Sequence, residues 1–132
     1  MAGFDKSKAG WTIRPAMELF VSGQDMDDIM GMALDYIGYW CDRAEVGELN
    51  YKGEYASEQI SMGGTLKLYD EESEKVYVLN LEMMLDGIKK WIEAGGDKYG
   101  AFQDGKLDCG RMDAAMADEI VQYAIFGEVI YA

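Results

Sequence analysis

Residues 65–96 read TLKLYDEESEKVYVLNLEMMLDGIKKWIEAGG, and this stretch decides the fold. Apolar and polar residues alternate over 65–69 and again over 76–81, as in strands that are buried on one face. The acidic segment 70–74 lies between the two runs and favours a turn. The first half of the stretch therefore predicts a β-hairpin.

A helix is predicted to follow the hairpin directly. Asn80 is a good N-cap, and apolar residues at 81, 84, 85, 88, 91 and 92 keep helical spacing from there. Gly95 and Gly96 end the pattern, as glycines past a helix C-terminus commonly do. The helix should run from 81 to about 94.

Two further helices are predicted on either side of this unit. Ser22 stands three residues before Asp25, the spacing of a capping box, and apolar residues then recur at three- and four-residue steps to about Tyr39. Asp113 is a good N-cap for another helix, which should end at Gly127.

The remaining chain gives weaker strand signals. Alternation over 12–21, together with Pro15, indicates an edge strand. Residues 128–131 could form a final strand. The pattern over 42–62 is less regular and predicts only a short strand with a loop or brief helix. Residues 1–11 have the composition of a flexible N-terminal arm. The sequence thus predicts one α+β domain over 12–132, with about three helices packed on a small antiparallel or mixed sheet of about four to five strands.

The charge of the chain limits its partners. It has a formal net charge of -13 on 132 residues, while 49% of the residues are hydrophobic, so the charge decorates a folded body. Such a surface repels nucleic acid and anionic lipid and attracts basic proteins. We therefore expect neither direct nucleic-acid binding nor membrane binding, and because no apolar run is long enough to span a bilayer, we expect a cytoplasmic protein.

No motif in the sequence indicates a reaction. The absence of histidine excludes imidazole catalysis and histidine-ligated metals, and no phosphate-binding glycine fingerprint is present. Asp97, Asp104, Asp108 and Asp113 come nearest to a cation site, but their spacing does not match the calcium-binding loop. We therefore expect a binding protein without enzymatic activity, metal or cofactor.

Two cysteines, Cys41 and Cys109, lie far apart and form no CxxC pair. This arrangement favours reduced, half-buried thiols over a secreted disulfide framework, although a single disulfide stays open as an alternative.

The acidic residues are unevenly distributed. Between Glu18 and Glu48 there are eight acids against one base, Arg43. Rows of carboxylates on a helix or a strand can imitate the spacing of phosphates along a nucleic acid, whereas an ordinary solubilising surface is the alternative. Tyrosines add amphipathic anchors for an interface. The candidate partner-binding residues are Asp25, Asp27, Asp28, Asp35, Asp113, Asp118, Glu119, Tyr51 and Tyr55.

Four segments carry a resemblance to a known group: AMELFVSGQDMDDIM, ALDYIGYWCDRAEV, GEYASEQISMGGTLKLYD and DAAMADEIVQYAIFGEVIYA. They resemble small uncharacterised acidic proteins of bacteriophages and prophage-like mobile elements of gut bacteria. The resemblance implies a setting in which small accessory proteins modulate host machinery, including host immunity. It assigns no role to any individual residue.

Three functional hypotheses follow. The first is a non-enzymatic inhibitor that uses its acidic surface to bind a basic, nucleic-acid-binding host protein, with a CRISPR effector as the leading target class. The second is a sponge that sequesters a small signalling nucleotide with Tyr51, Tyr55, Lys67 or Lys89. The third is a structural or regulatory protein of the mobile element without a defence role. The sequence leaves open whether the protein forms a homodimer.

Overall fold

The computed structural model describes residues 19–47 and 53–132, which form a small α+β fold. The helices in this part of the chain are α1 (Gly23–Tyr36), α2 (Leu81–Glu93) and α3 (Ala114–Phe126). The strands are β1 (Cys41–Val46), β2 (Leu66–Asp70), β3 (Val76–Leu79), β4 (Phe102–Gln103) and β5 (Lys106–Leu107). The predicted fold class is thereby confirmed.

The three predicted helix starts are confirmed by their caps. Ser22 and Asp25 form a reciprocal capping box at α1, while Asn80 and Asp113 each accept a backbone N–H in the first turn of their helices. These side chains satisfy amides that have no partner inside the helix. Gly127 ends α3 with a φ of 77°, a left-handed conformation that glycine adopts without strain.

The predicted hairpin is also confirmed. β2 pairs antiparallel with β3, with Leu66 opposite Leu79 and Tyr69 opposite Val76. β1 pairs antiparallel with the other edge of β2, which gives the sheet order β1-β2-β3. The alternation of β2 places Leu66 and Leu68 in the core, as a period of two requires.

The main sheet is smaller than predicted. It has three strands rather than four or five, and β4 and β5 form a separate two-stranded sheet. Most of the strand predicted over 12–21 lies outside the described residues, as does the arm over 1–11. Within the described part, Phe20 makes a single parallel bridge to Lys106. The described part of the region 42–62 contains most of β1 and a short 3-10 turn, Ala56–Glu58.

The predicted final strand over 128–131 does not form. The backbone N–H groups of Ile130 and Tyr131 instead donate to the side-chain Oε1 of Gln122, each at 2.8 Å. A glutamine side chain of α3 thus takes the place of a neighbouring strand, which is why the tail runs alongside the helix without sheet pairing.

The core lies between the three helices and the inner face of the sheet. Helices α2 and α3 pack closely at Gly87, where an added Cβ would lie 2.8 Å from the backbone oxygen of Ile120. Only glycine allows this separation. The largest fully buried apolar side chains are those of Trp91, Met26, Ile29, Met30, Ile60, Leu66, Leu68, Leu79, Met84, Ile88 and Ile120.

Candidate functional site

One buried carboxylate on α3 binds the side chains of the residues that follow α1. Asp118 is 3% exposed, and it accepts hydrogen bonds from the hydroxyl of Tyr39 at 2.5 Å and from Nε1 of Trp40 at 2.7 Å. Gln122, one turn further along α3, donates Nε2 to the same carboxylate at 3.1 Å. All three donors are uncharged, so the negative charge of Asp118 is solvated by hydrogen bonds rather than by a base.

A second buried carboxylate closes the hairpin turn. Asp70, at the end of β2, is 3% exposed and accepts hydrogen bonds from the hydroxyls of Tyr131, at 2.9 Å, and Ser73, at 2.8 Å, and from the backbone N–H of Glu72 at 3.1 Å. Burial alone would raise the pKa of Asp70, but these hydrogen bonds to the ionised form together lower its pKa below the ordinary value.

The C-terminal tail joins the two carboxylates. The ring of Tyr131 stacks on that of Trp40, with centroids 5.6 Å apart and an interplanar angle of 10°. Burial and the hydrogen bond to Asp70 raise the pKa of Tyr131 to about 12. Burial and the hydrogen bond to Asp118 raise the pKa of Tyr39 further above its ordinary value. Both phenols therefore stay protonated at neutral pH.

A half-open pocket of about 280 Å³ lies beside this network. It is lined by Tyr39, Trp40, Glu71, Glu72 and Tyr131, and we call it the aromatic pocket. The backbone N–H of Glu71 donates to the carbonyl oxygen of Trp40 at 3.0 Å, which fixes the hairpin turn against the aromatic side chains. Electron-rich rings together with carboxylates favour a cation over an anion.

The predicted acids of α1 have different surroundings. Asp25 is half-buried and caps its own helix, and Asp27 is half-buried and accepts a hydrogen bond from the hydroxyl of Ser61. Asp28 and Asp35 are exposed. Because they stand two turns apart in the sequence, they lie on the same side of α1, about 10 Å from each other.

The structure brings part of this acidic surface together with a distant segment. Cys109 is half-buried with its Sγ 3.7 Å from the backbone oxygen of Asp25. Burial and the negative charges of Asp25, Asp28 and Asp108 raise the pKa of Cys109 to about 12. We call these three aspartates the acidic cluster. Arg111 is the base beside it, with its Nε 3.6 Å from Asp108.

The remaining predicted partner-binding residues are dispersed. Asp113 is exposed at the N-cap of α3, and half-buried Glu119 accepts a hydrogen bond from Nε1 of Trp91 at 3.2 Å. Tyr55 is 61% exposed, whereas Tyr51 lies outside the described residues. Asp118 does not belong to the surface at all, because its carboxylate faces the donors on Tyr39, Trp40 and Gln122.

The residues considered for a nucleotide sponge lie on separate elements. Tyr55 precedes the 3-10 turn Ala56–Glu58, Lys67 lies in β2, and Lys89 is on the exposed side of α2. None of these three lines the aromatic pocket, and Tyr51, the fourth, lies outside the described residues.

Both cysteines are free thiols, as predicted, but only Cys109 is half-buried, whereas Cys41 is buried. Burial also raises the pKa of Cys41. In the part of the chain that the structure describes, no group of acids and thiols is arranged to hold a metal ion. None of the described helices has the length and apolar character needed to cross a membrane.

Sequence reasoning missed the buried polar network of Asp70, Asp118, Gln122 and Tyr131. One signal was present: Asp118 and Gln122 stand four apart on a helix whose neighbouring positions are apolar. Such a pair shares one helix face and needs partners once buried.

Comparison of the chain with protein-family models, with curated proteins and with solved structures finds no match.

Proposed function

We propose that this chain is a non-enzymatic accessory protein of a phage or mobile element that inhibits a basic, nucleic-acid-binding host protein, with a CRISPR effector as the leading target. The observation that carries the proposal is the acidic cluster: Asp25 and Asp28 of α1 and Asp108, from a segment far along the chain, all act on the thiol of Cys109, whose Sγ lies 3.7 Å from the backbone oxygen of Asp25. The resemblance to small phage proteins supplies the biological setting.

The exposed carboxylates near the acidic cluster extend the surface on which a basic protein would dock. Asp35 continues the exposed side of α1 beyond Asp28, and Asp113 follows the loop that contains Asp108. With a formal net charge of -13 on the chain, the long-range field attracts a cationic surface and accelerates encounter. Affinity would then come from a smaller number of buried anchors.

The protonation states support binding rather than catalysis. A general acid or base works best with a pKa near the operating pH. In the described residues, the clear shifts move tyrosines and thiols upward and Asp70 downward, so each of these groups keeps one protonation state near neutrality. These shifts are those of a structural hydrogen-bond network.

The sponge hypothesis has weaker support. The aromatic pocket has Glu71 and Glu72 in its lining and a volume of about 280 Å³, just below the roughly 300 to 1,000 Å³ usual for small-molecule sites. Carboxylates there would repel the phosphates of a nucleotide. No observation specifically favours a structural or regulatory role within the mobile element.

The test is inhibition of target cleavage by a panel of purified CRISPR effectors. The informative variant is Asp28→Asn, Asp35→Asn and Asp113→Asn in one chain, since asparagine keeps the N-cap at 113. We expect wild type to inhibit at least one effector. The variant should need about tenfold more protein for the same inhibition, because each removed charge lowers the binding free energy by a few tenths to about one kcal/mol.

The matched control removes the same number of charges elsewhere: Glu74→Gln, Glu82→Gln and Glu128→Gln, all at exposed positions. It should inhibit nearly as well as wild type. If no effector is inhibited, the proposed target is wrong. If both triple variants weaken inhibition equally, only net charge matters, and the acidic surface around α1 is not the docking site.

A further inference from the structure

The aromatic pocket combines two features that recognise a cation. It is lined by the aromatic residues Tyr39, Trp40 and Tyr131 and by the acidic residues Glu71 and Glu72. Trp40 is buried and stacked on Tyr131, so the aromatic surface open to a bound group is that of Tyr39 and Tyr131. Aromatic faces attract cations through their quadrupole, and a carboxylate gives a charged hydrogen-bond acceptor. Glu71 and Glu72 are exposed, so their carboxylates are free to turn toward a bound group.

Buried charges behind the walls strengthen this preference. Tyr39 and Trp40 donate to Asp118, and Tyr131 donates to Asp70. A phenol or indole that donates to a carboxylate becomes more electron-rich, because hydrogen bonds in series polarise one another. Among the described residues, no lysine or arginine forms an ion pair with these two aspartates or with the two glutamates. Within the described part of the chain, the pocket therefore combines aromatic residues with negative charges that have no ion-paired base.

We propose that the aromatic pocket binds a guanidinium group, the side-chain head of an arginine on the partner protein. A guanidinium is planar and stacks on aromatic rings, and its fork of N–H donors matches a carboxylate in two parallel hydrogen bonds. A lysine ammonium lacks both properties. A pocket of about 280 Å³ admits one such side chain.

That the guanidinium belongs to an arginine of a partner protein rests on the proposed function. That the pocket binds a guanidinium does not. Arginine is enriched among the residues that dominate binding energy at protein interfaces. The exposed arginines of a nucleic-acid-binding surface are the groups that normally contact phosphates. An anionic pocket that captures one of them would add a specific anchor to the non-specific attraction of the acidic surface.

The test uses Nα-acetyl-arginine-N-methylamide, whose only charge is the guanidinium, in an NMR titration of the whole chain. The matched probe is the citrulline compound, which has nearly the same shape but is neutral. With the arginine compound we expect saturable chemical-shift changes at Glu71, Glu72 and the indole N–H of Trp40. The citrulline compound should associate at least about tenfold more weakly.

The informative variant is Glu71→Gln with Glu72→Gln, and Glu74→Gln with Glu82→Gln is a control with the same change in net charge. The first pair should weaken association with the arginine compound about tenfold, and the control pair should leave it nearly unchanged.

Shifts that do not saturate, equal responses to the two compounds, or equal effects of the two variant pairs would overturn the proposed guanidinium site. This result is distinguishable from failure of the proposed function. A chain that inhibits no effector but still binds the arginine compound at these residues has the guanidinium site and takes a free guanidino compound rather than a partner's arginine.

Discussion

The side-chain amide of Gln122 binds the backbone of Tyr131 in the way a β-strand would. Its Oε1 accepts from the N–H of Tyr131 at 2.8 Å, and its Nε2 donates to the carbonyl oxygen of Tyr131 at 3.0 Å. This pairing holds the Tyr131 ring against Trp40 and places its hydroxyl on Asp70. One buried glutamine therefore fixes the wall of the aromatic pocket.

Gln122→Ala should destabilise the protein strongly. It removes the hydrogen bonds to the tail and one donor to Asp118, and it leaves buried polar groups without partners, so we expect a loss of about 2 to 4 kcal/mol in the free energy of unfolding. Urea denaturation measures the loss. Gln103→Ala, at an exposed position, should change stability by less than about 0.5 kcal/mol. Similar effects for the two variants would contradict the role of Gln122.

Asp118→Asn tests whether this acid is structural. An amide would place a donor among the donors of Tyr39, Trp40 and Gln122, so we expect a loss of about 1 to 3 kcal/mol. Asp35→Asn is the exposed counterpart and should leave the unfolding free energy nearly unchanged. Equal unfolding free energies of the two variants in urea denaturation would show that Asp118 behaves as an exposed acid, which would contradict its structural role.

The raised pKa of Tyr131 predicts that this phenol resists ionisation and that alkali destabilises the fold once the phenol ionises. Below the ordinary tyrosine pKa of about 10 the phenol is protonated in both folded and unfolded chains, so its contribution to stability is fully present. As pH rises from about 10 through about 12, the contribution is lost. In a titration of phenolate absorbance, the difference between wild type and Tyr131→Phe should have its midpoint near pH 12. A midpoint near pH 10 would show that the bond to Asp70 is absent.

Two glycines should respond oppositely to alanine. Gly87→Ala forces α2 away from α3, because the new Cβ would lie 2.8 Å from the oxygen of Ile120 and 2.9 Å from the Cβ of Ala124. We expect a loss of about 1 to 3 kcal/mol. Gly31→Ala, in the middle of α1 with open space around it, should stabilise by about 0.4 to 1 kcal/mol. Thermal unfolding measures both, and a gain at Gly87 would refute the close helix contact.

Local sequence signals account for most of the fold. Each predicted helix begins at its cap, and the hairpin turns at the acidic segment, because caps and turns satisfy backbone groups within a few residues of one another. The tail was misjudged for the converse reason. Residues 128–131 have strand-like composition, but the group that satisfies their backbone is the side chain of Gln122, and no local pattern indicates such a partner.

The candidate site was predicted less well than the fold. Charge along the sequence identified α1 as acidic, but it did not separate exposed Asp28 from half-buried Asp27, which bonds to Ser61. The convergence of Asp108 on α1 depends on tertiary packing across most of the chain. The aromatic pocket likewise needs three segments to meet, so composition alone could not locate it.

The most direct test of the proposed capture of a basic protein is the salt dependence of association. We would measure association rates of the immobilised chain with each purified CRISPR effector at low and high ionic strength. For at least one effector we expect the rate to fall about tenfold or more with added salt, and to fall further when Asp28, Asp35 and Asp113 are neutralised. Absence of association with every effector, or a rate that neither salt nor these substitutions change, would contradict the proposal.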